Sequence, residues 1–324
     1  MKVNREMIDP QLRRRGYLFD LFMRSRSEGG FLRSMKRARR LTSLLKGRGK
    51  KGLKKKEVHL LRKNGSRLRL CIYEPMEKPG RLVPGVLWLH GGGYAQGIPE
   101  QSAGTCKRLM DTKPCVILAP DYRLSIDAPY PAALEDAHLT LLYMKDHAKE
   151  LGIRRDQLMV GGESAGGGLA AALTLYARDR KEVNIAFQMP LYPMIDPSGT
   201  TESAKENNAP IWNQKTNSFA WKRYLGDLYG EVLPVYAAPS LARDYSALPP
   251  ALSFVGDLEP FRDETIAYME NLRNAGVPVS FRLYKGCYHG FDLICPRANI
   301  SEEATTFFLD GFGYAVDHYT AAQP

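Results

Sequence analysis

From residue 57 onward, short apolar runs alternate with longer stretches whose apolar residues recur every three or four positions. Short, mostly apolar runs of four to six residues predict buried strands at 85–89, 115–119, 157–160, 186–190, 251–255 and 279–284. Helical spacing predicts helices at 101–111, 131–151, 165–178, 262–275 and 301–318. Two further strands, 57–62 and 67–73, flank Asn64-Gly65, a dipeptide that suits the left-handed positions of a tight hairpin. Strands that alternate with helices imply a mostly parallel sheet covered on both faces, here eight strands with an antiparallel hairpin at one edge.

Two regions fall outside that rhythm. Residues 1–56 show apolar residues at helical spacing at 12–23 (Leu18, Phe22) and 31–45 (Phe31, Met35, Leu41, Leu45), followed by a Gly- and Lys-rich stretch at 46–56 that reads as a linker. Residues 197–249 run for about fifty positions without a strand and carry Trp212, Trp221, Tyr224 and Tyr229. A structureless loop of that length is unusual, so an inserted helical element is expected. The chain therefore divides into a leading helical segment at 1–56 and a catalytic domain at 57–324 with an insertion at about 197–249.

Charge sharpens that division. The chain of 324 residues has a net charge of +11, yet residues 1–56 alone carry +15 and the remainder −4. Such a leading segment can meet anionic lipid or nucleic acid. No nucleic-acid signature accompanies it, so no nucleic-acid partner is expected. A solvated helix face and linker is the simpler reading, and membrane-surface docking the lesser one, because the apolar stripe looks no richer than a covering helix needs. Five cysteines, none in a CxxC pair, and a start without an apolar signal core point to a cytoplasmic protein. No metal-ligand spacing occurs, and neither a metal nor another cofactor is expected. A homodimer is compatible with the sequence.

The chemistry gathers around three short motifs. Gly162-Glu163-Ser164-Ala165-Gly166 follows a predicted strand and opens a predicted helix, the context that a strained serine turn requires. Ser164 is then a nucleophile at a helix N-terminus, where developing negative charge is favoured. His90-Gly91-Gly92-Gly93-Tyr94 directly follows the strand at 85–89, and its glycines let backbone N–H groups approach a carbonyl oxygen. Gly91, Gly92 and Ala165 are the expected oxyanion donors. His289, in Tyr288-His289-Gly290-Phe291 after the last strand, is placed to act as base; His90 reads as scaffold. The acid must come from the stretch after the strand at 251–255, where Asp257, Glu259 and Asp263 all qualify. Ser43 and Lys46 match another serine motif, SxxK, but without supporting partners. Tyr94, Glu163, Trp212 and Trp221 are expected to border the substrate.

Together HGGGY at 90–94, GESAG at 162–166, YHGF at 288–291 and the stretch from Asp121 to Asp136 resemble the hormone-sensitive-lipase-like esterases. The resemblance covers roughly 57–317. It implies an eight-stranded α/β-hydrolase sheet flanked by helices, with a cap built from the N-terminal segment and an insertion. It also implies a Ser-His-acid triad acting on short- to medium-chain acyl esters. In that family the acid position usually holds Asp; here alignment puts Glu259 there, with Asp257 two residues earlier as the alternative. A non-catalytic binding module on the same fold is the rival reading, against which the presence of both Ser164 and His289 argues.

Overall fold

The computed structural model describes residues 1–23, 27–77 and 79–324, apart from the side chains of Phe22 and Met23. The eight strands are β1 (Lys54–Leu61), β2 (Arg67–Glu74), β3 (Val83–Leu89), β4 (Val116–Pro120), β5 (Ile153–Glu163), β6 (Phe187–Leu191), β7 (Ala251–Gly256) and β8 (Val279–Tyr284). The helices are α1 (Pro10–Met23), α2 (Glu28–Ser43), α3 (Ala103–Thr112), α4 (Ala132–Asp146), α5 (Ala148–Leu151), α6 (Ala165–Arg180), α7 (Gln214–Leu225), α8 (Arg262–Asn274), α9 (Phe291–Ile294) and α10 (Asn299–His318). The strands form one sheet in the order β1-β2-β4-β3-β5-β6-β7-β8, parallel except where β2 meets β1 and β4.

Every residue of β3, β4, β6 and β7 is buried, as parallel strands covered on both faces must be. Side-chain alternation divides them between two cores. Leu87 and Leu89 pack on the side of α4 and α6, with Leu141 and Leu169. Val86 and Trp88 pack on the side of α3 and α10, with Leu109 and Phe308. The expected hairpin closes at Asn64-Gly65, where Gly65 has φ +81° and Arg62 N–H bonds the Ser66 carbonyl at 2.9 Å. All five cysteines are free and buried. Among the described residues no helix is long and apolar enough to cross a membrane.

Several elements differ from the sequence pattern. β5 starts at Ile153 rather than 157 because Ile153 pairs with Val83 at the foot of the sheet. The predicted helix at 131–151 breaks at His147 into α4 and α5. The basic linker is shorter than expected, since Lys54, Lys55 and Lys56 already belong to β1. Lys55 is drawn inward by Glu100 at 2.7 Å, and Arg69 joins the same carboxylate at 2.8 Å. Gly47 N–H also donates to Glu100, at 2.9 Å, so the stretch after α2 is tied to the body.

Residues 197–249 contain α7 and two 3-10 turns, Gly226–Leu228 and Pro239–Leu241. α2 packs on α7 through Phe31 and Phe219, whose ring centroids lie 6.2 Å apart, and through Lys222 and Glu28 at 2.8 Å. Ser27 caps α2 by accepting from Gly30 N–H at 3.1 Å.

Candidate active site

β5 ends at Glu163 and α6 begins at Ala165, which leaves Ser164 alone at the turn. Its φ of 57° and ψ of −119° lie in a region that a non-glycine residue rarely enters. Hydrogen bonds hold it there: Ser164 N–H donates to the Leu191 carbonyl at 3.0 Å, and its own carbonyl accepts from Gly168 at 2.9 Å and Met194 at 3.1 Å. The flanking residues must be glycine for a steric reason. A Cβ on Gly162 would stand 2.5 Å from the Leu89 carbonyl oxygen, and one on Gly166 would strike the same atom. The serine hydroxyl thus sits at the positive end of a sixteen-residue helix.

His289 meets Ser164 from the loop after β8. Its Nε2 lies 2.8 Å from Ser164 Oγ, and its Nδ1 lies 2.5 Å from Glu259 Oε2. Glu259 is fully buried, and its other oxygen accepts from Gly256 N–H at 3.0 Å. With Nδ1–H donating to the carboxylate, Nε2 is left as the acceptor that faces the serine hydroxyl. The imidazole is walled by aromatic rings: Phe261 edge-on at 5.0 Å, Tyr192 edge-on at 5.2 Å and Trp212 at 6.2 Å.

The other acids have different partners. Asp257 accepts from Gly286 N–H at 2.7 Å and Cys287 N–H at 3.3 Å, so it fixes the loop that carries His289. Asp263 accepts from Ser203 N–H at 2.7 Å. α1 holds the same loop from outside: the Tyr288 hydroxyl donates to the Leu12 carbonyl at 3.0 Å, and the Tyr288 ring fills the space above Gly16.

A cavity of about 220 Å³ opens at Ser164. Gly91, Gly92 and His289 border it, with Ile211, Trp212, Leu293 and Ile294 as its apolar lining and Gln96, Gln101 and Ser102 among its polar lining. Among the described residues, the N–H groups of Gly91, Gly92 and Ala165 have no acceptor. Gly92 has φ +125°, and a Cβ there would run into the Gln96 carbonyl. A larger hollow of about 390 Å³ lies at the other end of the strands, beside Val83, Val116 and Gly152, away from any of these groups.

Of the expected substrate contacts, Trp212 and Glu163 border the cavity, but Tyr94 and Trp221 do not. Both are buried behind it. Tyr94 stacks on Tyr224 at 3.8 Å and donates to the Met194 carbonyl at 3.2 Å, because the turn after Gly93 directs its ring toward α6 and α7. Trp221 packs against the same pair of rings. Glu163 is buried and accepts from Trp88 Nε1–H at 3.1 Å and the Thr105 hydroxyl at 3.2 Å. Burial, with the charge of Asp292 nearby, pushes its carboxyl up to about 7; burial likewise raises Asp292 to about 6. His90 is scaffold: its Nδ1–H donates to the Gly91 carbonyl at 2.8 Å, its ring stacks on Tyr122, and burial lowers its pKa to about 4. Ser43 donates to the Arg40 carbonyl while Lys46 pairs with Asp121, so the SxxK match forms no site.

The sequence pattern did not single out Gln96, Gln101, Ser102, Tyr192, Ile211, Leu293 or Ile294. For Gln96, Gln101, Ser102, Leu293 and Ile294 the one available signal was closeness in sequence to the motifs; Tyr192 and Ile211 carried none.

Fold and site together define a serine hydrolase of the α/β class. Residues 86–293 match a family described by its alpha/beta hydrolase fold. Esterase LipI of Mycobacterium tuberculosis is 35% identical over 222 residues, which cover 68% of this chain and 69% of that protein. An arylesterase of Saccharolobus solfataricus is 31% identical over 241 residues, covering 72% and 75%. The solved structure of a bacterial heroin esterase superposes with a TM-score of 0.88 at 30% identity, covering 97% of this chain and 99% of that one. The chain belongs to the α/β-hydrolase family, in its hormone-sensitive-lipase-like branch of carboxylesterase-type enzymes.

Proposed function

We propose that this enzyme hydrolyses small, apolar carboxylic esters by two-step acyl transfer, with Ser164, His289 and Glu259 as its triad. The observation that carries the proposal is the continuous hydrogen-bond chain from Ser164 Oγ through both imidazole nitrogens to a buried carboxylate. Ser164 Oγ attacks the ester carbonyl carbon while His289 Nε2 takes its proton. The carbonyl oxygen becomes an oxyanion that the N–H groups of Gly91, Gly92 and Ala165 stabilise. His289 returns the proton to the departing alcohol oxygen, leaving an acyl-serine. Water, deprotonated by His289, attacks that ester, and the acid leaves as Ser164 is reprotonated. Glu259 keeps the proton on Nδ1 and stabilises the imidazolium between steps.

The small cavity with its wall of Ile211, Trp212, Leu293 and Ile294 supports short acyl chains over long ones. Residues 197–249 and the leading segment act as its cap, supported by the contacts of α2 with α7 and of α1 with the His289 loop. The test is hydrolysis of p-nitrophenyl acetate, butyrate and decanoate by the wild type and by Ser164→Ala. Turnover that declines with chain length and disappears in the variant is expected. A folded wild-type protein inert on all three, or an active Ser164→Ala, overturns the proposal.

A further inference from the structure

Large apolar side chains stand in solvent on both leading helices. On α1, Leu18 is 53% exposed, Phe19 47% and Leu21 80%; on and after α2, Leu41 is 62% exposed and Leu44 69%. These helices thus use only part of their apolar residues in packing. In α2 the inward stripe is Phe31 and Met35, which are fully buried. Arg33, Arg37, Leu41 and Leu44 follow one another at spacings of four, four and three, and so share an outward face. Among the described residues no carboxylate pairs with Arg33, Lys36, Arg37 or Arg40, nor with Arg48, Lys50 or Lys51 just beyond.

Both segments are anchored to elements that line the cavity. α1 packs on α9, whose Leu293 and Ile294 form part of the wall, and Arg15 donates to the Ile294 carbonyl at 3.2 Å. The stretch after α2 is tied to Glu100, whose neighbours Gln101 and Ser102 form another part.

We infer that the leading segment docks the enzyme on an anionic phospholipid surface, with its exposed leucines in the headgroup boundary and its arginines and lysines on lipid phosphates. The pairing of exposed apolar groups with unpaired cations suits a film that offers both negative charge and hydrocarbon. A nucleic-acid backbone satisfies the cations but gives the leucines nothing to bury against. A second copy meeting the same face brings two segments of +15 together, and like charges repel. The docking stands on exposure and charge and does not depend on the proposed hydrolysis.

The experiment is co-sedimentation of the full chain with vesicles of phosphatidylcholine alone and of phosphatidylcholine mixed with phosphatidylglycerol. Two surface variants accompany it, Leu18→Ser/Leu21→Ser and Arg37→Gln/Arg40→Gln. Binding is expected only to the mixed vesicles, and weaker in about 1 M than in about 0.15 M salt, where the Debye length is about 3 Å rather than about 8 Å. Each cation removed should weaken binding about fivefold, and the leucine variant should lose it while keeping the circular dichroism spectrum and melting temperature of the wild type. Three results each overturn the inference: no sedimentation with mixed vesicles, equal sedimentation with both compositions, or variants that bind like the wild type. So does light scattering that shows the wild type self-associating and Leu18→Ser/Leu21→Ser monomeric, because the leucines then cover one another.

Discussion

Glu259 reaches His289 across one more methylene than an aspartate would offer, and its second oxygen is held by the N–H of Gly256. Asp257, two residues earlier, turns to the backbone of Gly286 and Cys287. The two carboxylates should therefore respond differently to neutralisation. Glu259→Gln should lower kcat by about 10³ to 10⁴, the scale on which a triad acid matters. Asp257→Asn should cost on the order of 1 kcal/mol of stability and leave most of kcat, which denaturant melts beside steady-state kinetics will separate. The sequence placed both residues after the right strand, but reach depends on how the turn aims each side chain. Tyr94 and Trp221 show the same limit: an aromatic residue near a motif carries no information about which side of the backbone its ring will take. Gly162 and Gly166, which frame Ser164, were legible because steric contact with the Leu89 carbonyl leaves few residue types able to stand there. Glu163 adds a pH prediction. Its carboxyl is raised to about 7 in the folded enzyme from an ordinary 4.5, so the native state binds more protons than the unfolded one between those values. Stability should then fall as pH rises from about 4.5 through about 7. Glu163→Gln should flatten that part of a Tm-versus-pH curve, since the Gln oxygen can accept from Trp88 while Thr105 turns to accept from the amide.

At the scale of elements, the alternation of strand and helix was legible because parallel strands need nearly continuous apolar runs. The ends were less so. β5 extends to Ile153 on the strength of a pairing with Val83, a contact far away in sequence. Lys54–Lys56 looked like linker because three lysines in a row give no periodic signal; they join the strand by pairing with Ile72–Glu74, with Glu100 drawing in Lys55 and Glu74 holding Lys56. The helices outside the sheet bear on the site through their packing. Phe31 is fully buried between α2 and α7, and Phe31→Ala should cost about 3–5 kcal/mol if the two helices melt with the body, measured by denaturant unfolding. Gly16 tests α1. A Cβ there would stand 2.6 Å from the Tyr288 ring, next to His289, so Gly16→Val should displace the loop. A misplacement of about 1 Å can cost 10²-fold, and kcat should fall on that scale while the circular dichroism spectrum stays that of the wild type.

For the whole molecule, charge is the dominant asymmetry, with +15 in the first 56 residues against −4 in the rest. Glu100 is where the two parts are joined. Although burial opposes it, Arg69, Lys55 and the Gly47 N–H hold its carboxyl well below the ordinary 4.5. That sign makes the join strongest above about 4.5 and weaker as pH falls further, opposite in sense to the contribution of Glu163. Proteolysis within residues 46–53 should therefore accelerate on acidification below that pH, with the sheet still folded. The tie at the other end of the segment sets an order of events during synthesis. The hydrogen bond from Tyr288 to Leu12 joins residues 276 positions apart. At about 5–20 residues per second, the first helix waits on the order of tens of seconds after leaving the ribosome for the loop it will brace. Until then neither Tyr288 nor His289 has been made, so the growing chain holds the turn at Ser164 before it holds the imidazole that will meet it.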